Sequence, residues 1–362
     1  MAGEEVSLIE EEDIEDQIGA STGSNSKQFF SPQSLLILVA CAFFALAVTV
    51  YAEWSKFNGD VIVGVKEGRF SGLVSIAKDN GYFEQQGITV SIVEFPTEEK
   101  VLEATRNGAV DIALIREYNV VQEFVPGETT IKILGAAEQF YANQFVVNGY
   151  TGITSFDRLA GKKIGVPDTP QTEYWAERTL ESNGISLDEV EILPIKEKDM
   201  ALKLKNASIS AVVIEKPGNY AIRRTLDNKA FFWPADGNKE FNYLLLVGGQ
   251  TFIQEDHEAL SEFMYALKRA EDLIESNPEL AKRSVITSLG EYAEYTEEIW
   301  RNSKYHLEFS QEILDTMNSE KNWFLEKGAI ETAPENFIQY FDQSALDGVK
   351  PWGTTFGQEG DL

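Results

Sequence analysis

The stretch Val61-Ile62-Val63-Gly64-Val65 decides the fold, because its pattern returns at Lys163-Ile164-Gly165-Val166 with the same order of landmarks behind it. Each copy continues as loop, helix, glycine turn, strand, proline, helix, asparagine turn and strand. The paired landmarks lie about 100 positions apart and are Gly64 and Gly165, Gly81 and Gly184, Pro96 and Pro194, and Asn107 and Asn206. A repeat of this length is too long for a solenoid. The pattern predicts two similar α/β lobes with a ligand cleft between them.

The predicted elements alternate between strands and helices in both copies. Strands are predicted at 61–65, 88–95, 111–115 and 131–135, and then at 163–167, 189–195, 209–214 and 241–248. This alternation predicts the α/β fold class, with two Rossmann-like lobes of parallel sheet and helices on both faces. The predicted domains are lobe 1 at 58–150 and 240–352, lobe 2 at 151–239, and a C-terminal tail at 353–362. The C-terminal helices are predicted to pack on lobe 1.

The charge and the cysteine content narrow the classes of function. The chain of 362 residues has a formal net charge of −28 and a pI of about 4.4. Such a surface repels nucleic acid, so we predict no nucleic-acid partner. Cys41 is the single cysteine, so no intramolecular disulfide can form, and the spacing of His257 and His306 matches no metal motif. We therefore predict no metal and no cofactor.

A membrane anchor is predicted near the N-terminus. Residues 34–51 form an uncharged apolar run that is long enough to cross the hydrocarbon core as one helix. Tyr51 and Trp54 lie at its C-terminal end, where interfacial aromatic residues are typical. The segment 34–54 is therefore predicted to be a transmembrane helix or signal anchor. The acidic segment 1–33 has few apolar residues and is predicted to be a disordered tail.

Two other kinds of anchor stay open. Leu38-Val39-Ala40-Cys41 resembles a lipobox, which would place a lipid on Cys41, although the apolar run continues beyond it. A signal peptide cleaved near Val50-Tyr51-Ala52 is the second alternative, although the first 33 residues hold one lysine and eight acidic residues.

The candidate ligand site lies in the loops after the predicted strands, because ligands of open α/β sheets bind beyond the carboxyl ends of the strands. The predicted ligand-binding residues are Arg69, Phe70, Ser71, Arg116, Glu117, Tyr118 and Gln139 in lobe 1, and Thr169, Gln171, Thr172, Glu215 and Asn219 in lobe 2. Aromatic members of this set would wall an apolar part of the solute.

The charge of the ligand has two interpretations. Arg69 and Arg116 suit bidentate binding of an anion, and the helix starts at Ser71 and Thr172 favour negative charge. The arginines would instead form surface or interlobe ion pairs if neighbouring carboxylates neutralise them, and Glu215 would suit a cation or a hydrogen-bond donor.

Catalysis has little support in the sequence. The chain contains no Gly-x-Ser-x-Gly elbow and no Gly-x-x-x-x-Gly-Lys phosphate loop. Glu117 and Glu215 are predicted to face each other and offer an acid–base pair, but such carboxylates are commoner as ligand or interlobe contacts. We predict that the protein is not an enzyme.

Three segments resemble type-2 periplasmic substrate-binding proteins of ABC transporters. They are Ile153–Pro167, which enters lobe 2, Gly81–Ile88, and Asn107–Ala113. The branch is the one that serves nitrate, sulfonate, taurine and thiamine-pyrimidine uptake, and the resemblance covers about 61–352. The chain departs from its relatives at Asp168–Thr172 and at Leu114–Glu117, where smaller residues are usual.

The resemblance implies a hinged receptor that closes on a small solute and presents it to an ABC permease. The hinges would lie near 148–152 and 232–242. The binding domain would lie on the extracytoplasmic, or periplasmic, side of the cell (inner) membrane. The predicted function is thus a membrane-anchored solute-binding protein. The alternative is a sensory or regulatory subunit that signals through another membrane protein.

Overall fold

Two β-sheets, each flanked by helices, form the part of the chain that this computed structural model describes, which is residues 60–67, 72–124, 129–141, 143–215, 218–226, 229–234, 241–289, 293, 295–351 and 353–354. The strands are β1 (Asp60–Lys66), β2 (Thr89–Phe95), β3 (Ile112–Arg116), β4 (Ile131–Phe140), β5 (Asn143–Asn148), β6 (Lys163–Val166), β7 (Glu191–Pro194), β8 (Ala211–Glu215), β9 (Ala230–Pro234), β10 (Asn242–Gly249) and β11 (Ser303–Lys304).

The helices fall mainly between the parallel strands and in the C-terminal third of the chain. They are α1 (Gly72–Asp79), α2 (Tyr82–Gln85), α3 (Glu98–Arg106), α4 (Glu117–Phe124), α5 (Pro170–Ser182), α6 (Glu197–Lys205), α7 (Asn219–Leu226), α8 (Gln250–Glu255), α9 (His257–Ser276), α10 (Pro278–Leu289), α11 (Thr296–Asn302), α12 (Gln311–Glu326) and α13 (Ser344–Val349).

Both sheets are mixed, whereas the sequence predicts parallel sheets. The first has the order β11-β4-β10-β3-β1-β2 and the second the order β7-β6-β8-β5-β9. Within them, β2-β1-β3 and β7-β6-β8 are parallel, while β10 and β5 run antiparallel to β3 and β8. The physical reason is where the chain changes sheets. Both strands enter from the edge where the parallel strands end, so they run in the opposite direction.

The change of sheet falls earlier than the predicted boundary at 150/151. Strand β5 pairs with β8 and β9, so residues 143–148 belong to the second sheet. The first crossing therefore lies between Phe140 and Asn143, not at 148–152. The return crossing lies between Pro234 and Asn242, within the predicted 232–242. Strand pairing decides this boundary, and pairing is a long-range property that a hydrophobic pattern does not specify.

The internal duplication reappears in the packing of two glycines. A Cβ on Gly64 would lie 2.8 Å from Val101 Cγ1 and 2.9 Å from Val110 Cγ1. A Cβ on Gly165 would lie 2.8 Å from Ile195 Cδ1 and 3.1 Å from Ile209 Cδ1. Both glycines therefore let neighbouring apolar side chains pack over the central one of the three parallel strands in each lobe.

Helices cover both faces of the second sheet, as the alternation of its strands requires. On one face, Phe145 and Val147 pack with Leu180 of α5. On the other, Val146 packs with Met200 and residues of α6 and α7. Successive side chains of a strand point to opposite faces, so β5 contributes to both cores. This sandwich fixes the ends of β6, β7 and β8 at one edge.

The C-terminal helices pack on lobe 1, and two of their segments also reach lobe 2. The predicted apolar stripe on α9 is buried at Leu260, Phe263, Met264 and Leu267. Helix α12 touches α5 of lobe 2, where the Tyr174 hydroxyl donates to Ser319 Oγ at 2.9 Å. Tyr295 stacks on Tyr220 of α7, with ring centroids 3.5 Å apart. The C-terminal region therefore contacts both lobes.

Among the described residues, no helix combines the length and the apolar character needed to cross a bilayer. The predicted tail 1–33, the span 34–54 with Cys41, and most of the tail 353–362 lie outside the described residues.

Candidate functional site

A cavity of about 420 Å³ lies between the two lobes, at the carboxyl ends of the parallel strands of both sheets. Small-molecule sites typically occupy roughly 300–1,000 Å³. The lining residues follow the strands β1, β2 and β3 in lobe 1 and the strands β6, β7 and β8 in lobe 2. They are Lys66, Pro96, Thr97, Glu98, Glu99, Arg116, Tyr118, Asn119, Gln122, Pro167, Asp168, Thr169, Pro170, Gln171, Thr172, Glu197, Ile214 and Glu215.

Six of the predicted ligand-binding residues line this cavity, namely Arg116, Tyr118, Thr169, Gln171, Thr172 and Glu215. Glu117, Gln139 and Asn219 do not line it. Arg69, Phe70 and Ser71 lie outside the described residues. The strand-end rule thus brings residues of both lobes together, while it does not say which of two neighbouring side chains faces the cavity.

Arg116 is held by carboxylates from both lobes. Its Nε donates to Glu98 Oε1 at 3.1 Å, within lobe 1, and its Nη1 donates to Glu215 Oε2 at 2.6 Å, across the cleft. The Arg116 side chain is only 9% exposed. Burial alone would lower its pKa, but the charges of Glu215 and then Glu98 hold that pKa above the usual value. The interlobe ion-pair interpretation therefore describes Arg116 in this structure.

The duplication places Glu98 and Glu197 at equivalent positions, each at the first residue of the helix after the second strand of its lobe. In lobe 1 the neighbour of Glu98 is a cation, Arg116. In lobe 2 the residue equivalent to Arg116 is Glu215, so two carboxylates adjoin. Burial, and after it the charge of Glu215, raise the pKa of Glu197, while Lys66 opposes the shift.

The described lining is rich in negative charge. It contains five carboxylates, at Glu98, Glu99, Asp168, Glu197 and Glu215, against the two cations Lys66 and Arg116. Both carboxylates that bind Arg116 belong to this set. A ligand that supplies N–H donors or positive charge therefore fits this part of the cavity better than an anion does.

The start of α5 is less suited to an anion than the sequence predicts. Thr169 is its N-cap, and Thr169 Oγ1 accepts the N–H of Thr172 at 3.4 Å. Pro170, the first helical residue, has no N–H to offer. Thr172 is thus the third helical residue, and its hydroxyl lies 2.8 Å from Thr169 Oγ1. The helix start is capped by its own side chains.

Glu117 lies beside the point where the chain crosses back into lobe 1, and it does not line the cavity. It is fully buried, and its carboxylate accepts Asn242 Nδ2 at 3.1 Å and the N–H of Tyr243 at 2.8 Å. Gln139 lies beside the same chain crossing, since its Nε2 donates to the Tyr243 hydroxyl at 3.2 Å. These bonds tie the start of α4 to the strand that returns from lobe 2. The predicted acid–base pair of Glu117 and Glu215 is therefore not formed in the cavity.

Asn219 does not line the cavity either, and its contacts stabilise the fold. It is fully buried at the start of α7, and its Nδ2 donates to Gln144 Oε1 of β5. It therefore fixes α7 against the strand that carries the chain into lobe 2.

The cavity lining includes residues that the sequence analysis does not predict, namely Lys66, Glu98, Asn119, Gln122 and Glu197. A signal for two of them was present, because Pro96 and Pro194 mark the ends of the second strands and Glu98 and Glu197 each follow within three residues. The ends of the second strands therefore contribute to the cavity in the same way as the ends of the first and third strands. Asn119 and Gln122 lie on α4, and their approach to the cavity depends on how that helix packs.

No group of three or more His, Cys, Asp or Glu side chains within the described ranges is arranged to hold a metal ion. The carboxylates of the cavity instead contact side chains, as the bonds from Arg116 and Asn119 to Glu98 show.

The fold and the cleft place the chain in the class of periplasmic-binding-protein-like α/β proteins. The periplasmic sulfonate-binding protein SsuA from Methylobacillus flagellatus KT has this fold, with a TM-score of 0.67 at 15% identity over 82% of this chain and 96% of that chain. Residues 70–281 match the family model described as NMT1/THI5 like, and the chain belongs to that family. The predicted resemblance is thereby confirmed.

One curated relative carries a ligand in its name. The formylaminopyrimidine-binding protein of Halalkalibacterium halodurans is 23% identical over 224 residues, which is 60% of this chain and 66% of that protein. The chain spans slightly less than two thirds of the length of this relative, and 64% of the Brucella binding proteins that it also matches.

An enzyme also has this fold. The desulfurization enzyme DszB has a TM-score of 0.58 at 13% identity, over 80% of this chain and 98% of that chain. At this identity the likeness concerns the fold, and the chemistry has to be argued from the residues of the cavity.

The Glu98→Gln substitution is expected to lower the free energy of unfolding by about 3 kcal/mol, because removal of one partner from a buried ion pair leaves the other charge poorly compensated. Urea denaturation checks this value. Glu103→Gln is the matched control, since its ion pair with Lys100 is exposed on the same helix, and we expect no measurable change. Equal changes in the free energy of unfolding for the two substitutions would contradict the interpretation that the ion pair of Arg116 with Glu98 is desolvated.

Glu117 is expected to make stability depend on pH. Burial raises the pKa of its carboxyl from 4.5 to about 7, against the hydrogen bonds from Asn242 and Tyr243, which lower it. The folded state then binds its proton more tightly than the unfolded state, so stability falls as pH rises from about 4.5 to about 7, by at most about 3 kcal/mol.

Urea denaturation across this pH range tests the prediction in the wild type and in Glu117→Gln, which cannot titrate. The substitution is expected to remove the fall in stability, whereas Glu255→Gln, at an exposed position on α8, should retain it. Parallel pH profiles for the wild type and Glu117→Gln would show that this carboxyl does not titrate in the window.

Proposed function

We propose that this protein is an extracytoplasmic solute-binding protein that captures a small solute in the interlobe cavity and delivers it to an ABC permease. The carrying observation is the cavity of about 420 Å³ whose walls come from both lobes and are joined across the cleft by Arg116 and Glu215. A site shared between two lobes is closed or opened by any change in their separation. Ligand binding and lobe closure are therefore linked.

The solute in this proposal presents hydrogen-bond donors or positive charge. Arg116 is already bound by two carboxylates, so an anion would have to displace one of them. Glu197 lines the cavity, and none of the described residues forms an ion pair with it. An N–H donor beside Glu197 would form a charge-assisted hydrogen bond with its carboxylate. A pyrimidine with an amino group, as in the name of one relative, has this chemistry.

Transport without catalysis is the proposed activity. Two relatives with stated ligands are named as binding proteins, which favours capture over turnover. The acid–base hypothesis for Glu117 loses its geometric basis because that carboxyl is bonded to the hinge. Among the described residues, no structural feature favours the sensory alternative over transport.

The proposal is tested by thermal shift and calorimetry of the purified full chain with formylaminopyrimidine and with methanesulfonate. A bound solute at 100 times its Kd adds about 2.7 kcal/mol of stability, which raises the Tm. We expect the pyrimidine to bind and the sulfonate not to. Glu197→Gln should weaken pyrimidine binding at least tenfold, because the carboxylate is the stronger acceptor.

Glu255→Gln is the control for charge, since it removes a carboxylate that does not line the cavity. Its affinity should equal that of the wild type. Binding of the sulfonate with no loss in Glu197→Gln would overturn the assignment of the head group. A broad solute screen without any rise in Tm would overturn the receptor proposal itself.

The anchor is proposed to be a single helix at 34–54, with the solute-binding domain on the extracytoplasmic side. Cell fractionation of the full chain tests this, and Cys41→Ser separates the two kinds of anchor. We expect Cys41→Ser to stay in the membrane fraction, because an apolar run of this length inserts without a lipid. Its release into the soluble fraction would show that the anchor is a lipid on Cys41.

A further inference from the structure

A second cavity, of about 490 Å³, adjoins the first. It lies between α4 of lobe 1, α5 of lobe 2 and the end of α12. Gln122 and Pro170 line both cavities, so they form a wall that the two share. Each of these two residues comes from a different lobe. The second cavity is therefore part of the same cleft system and changes with the same lobe motion.

The second cavity has an aromatic floor. Trp323 and Phe324 are 5% and 4% exposed and both line it, together with the apolar side chains of Ala329 and Ile330. The indole N–H of Trp323 donates to Glu177 at 2.8 Å, so its polar edge is satisfied. The apolar part of the indole ring is therefore the part of Trp323 that lines the cavity.

The aromatic surface continues into the first cavity through Tyr118. The Tyr118 ring lies 5.0 Å from the Phe324 ring, and Tyr118 lines the interlobe cavity. The residue is 2% exposed, and its hydroxyl has no hydrogen-bond partner among the described residues. A buried hydroxyl without a partner is costly, so a ligand group that bonds to it would relieve that cost.

The charges at the second cavity are already paired. Lys327 forms ion pairs with Glu177 and, at 3.6 Å, with Glu173. It also lies over the Trp323 ring, 5.5 Å from its centroid. The cation therefore offers little to an anionic group, and apart from the amide of Gln122 the recognition chemistry left in this cavity is apolar.

We infer that the second cavity holds an aromatic or aliphatic extension of the solute whose polar head lies in the interlobe cavity. This inference rests on the proposed solute-binding function and defines the solute class more narrowly. The solute is an amphipathic nitrogen compound, with N–H donors at one end and a ring or a short hydrocarbon chain at the other. Such a ligand contacts both lobes and α12 at once, so its apolar part contributes to closure.

A fragment experiment tests the second cavity without reference to the head group. The full chain is labelled with 5-fluorotryptophan and titrated with benzyl alcohol, and the Trp323 signal in the fluorine NMR spectrum is identified by its loss in Trp323→Phe. We expect that signal to shift until it saturates. The signal of Trp300, which packs on Tyr305 and lines neither cavity, should not move.

Two matched substitutions complete the fragment experiment. Ala329→Phe fills the second cavity and should abolish the shift of Trp323. Ala160→Phe, the same exchange at an exposed alanine that lines neither cavity, should leave it unchanged. The inference is overturned if the Trp323 signal does not respond to the fragment, or if it responds equally in Ala329→Phe.

A pair of solutes then tests whether the two cavities bind one ligand. Calorimetry compares 4-aminopyrimidine with 4-amino-5-benzylpyrimidine. We expect the benzyl compound to bind the wild type at least tenfold more tightly. Ala329→Phe should lose this gain and still bind 4-aminopyrimidine as the wild type does.

The outcomes separate the inference from the proposed function. Equal affinity for the two solutes would overturn the inference and leave the receptor proposal in place. Failure of both solutes to bind would count against the proposed head group, while the fragment experiment would still decide whether the second cavity accepts a ring.

Discussion

The charge of Arg116 is the constraint on which the arrangement of the cleft depends. A guanidinium that is nearly removed from water needs carboxylate partners, because an isolated buried charge costs many kcal/mol. Glu98 supplies one partner from the same lobe, and Glu215 supplies the other from the facing lobe at 2.6 Å. The Glu98 bond survives any separation of the lobes, whereas the Glu215 bond exists only when they are close. The ion pair thus couples the charge balance of the cavity to the lobe distance.

The two chain crossings between the lobes lie directly beside this ion pair. In the sheet registers, Arg116 pairs with Leu244 of β10, and Glu215 pairs with Asn143 of β5, so both chain crossings run next to the paired side chains. Glu117 follows Arg116 in the chain and binds the start of β10. Two consecutive residues therefore have different roles, because Arg116 faces the cavity and Glu117 binds the strand that returns from lobe 2.

The chemistry of the cavity does not follow from the fold that this chain shares with the sulfonate-binding protein SsuA. The fold brings the strand ends of two lobes together and leaves the side chains there free to vary. In this chain the described lining is dominated by carboxylates, and its arginine is already neutralised. The aromatic floor over Trp323 and Phe324 adds apolar surface that a solute of a few atoms would leave uncovered.

The architecture was accessible from the amino-acid pattern, because strand and helix periodicities are local. The repeated landmarks around Gly64 and Gly165 located the three parallel strands of each lobe within a few residues, whereas β5 and β9 of the second sheet were not predicted. The strand-end rule then identified Arg116 and Glu215, which line the cavity. The apolar segment 34–54 was likewise a property of composition alone.

Long-range pairing and side-chain direction were decided only by the tertiary structure. Strand β5 joins the second sheet because it pairs with β8, which no local pattern states. The adjacent residues Arg116 and Glu117 look equivalent in the sequence, yet only one of them reaches the cavity. The contact of α12 with both lobes depends on contacts about 145 residues apart in the chain. Such contacts form only when distant elements pack against each other. The local sequence of either element therefore contains no pattern that predicts them.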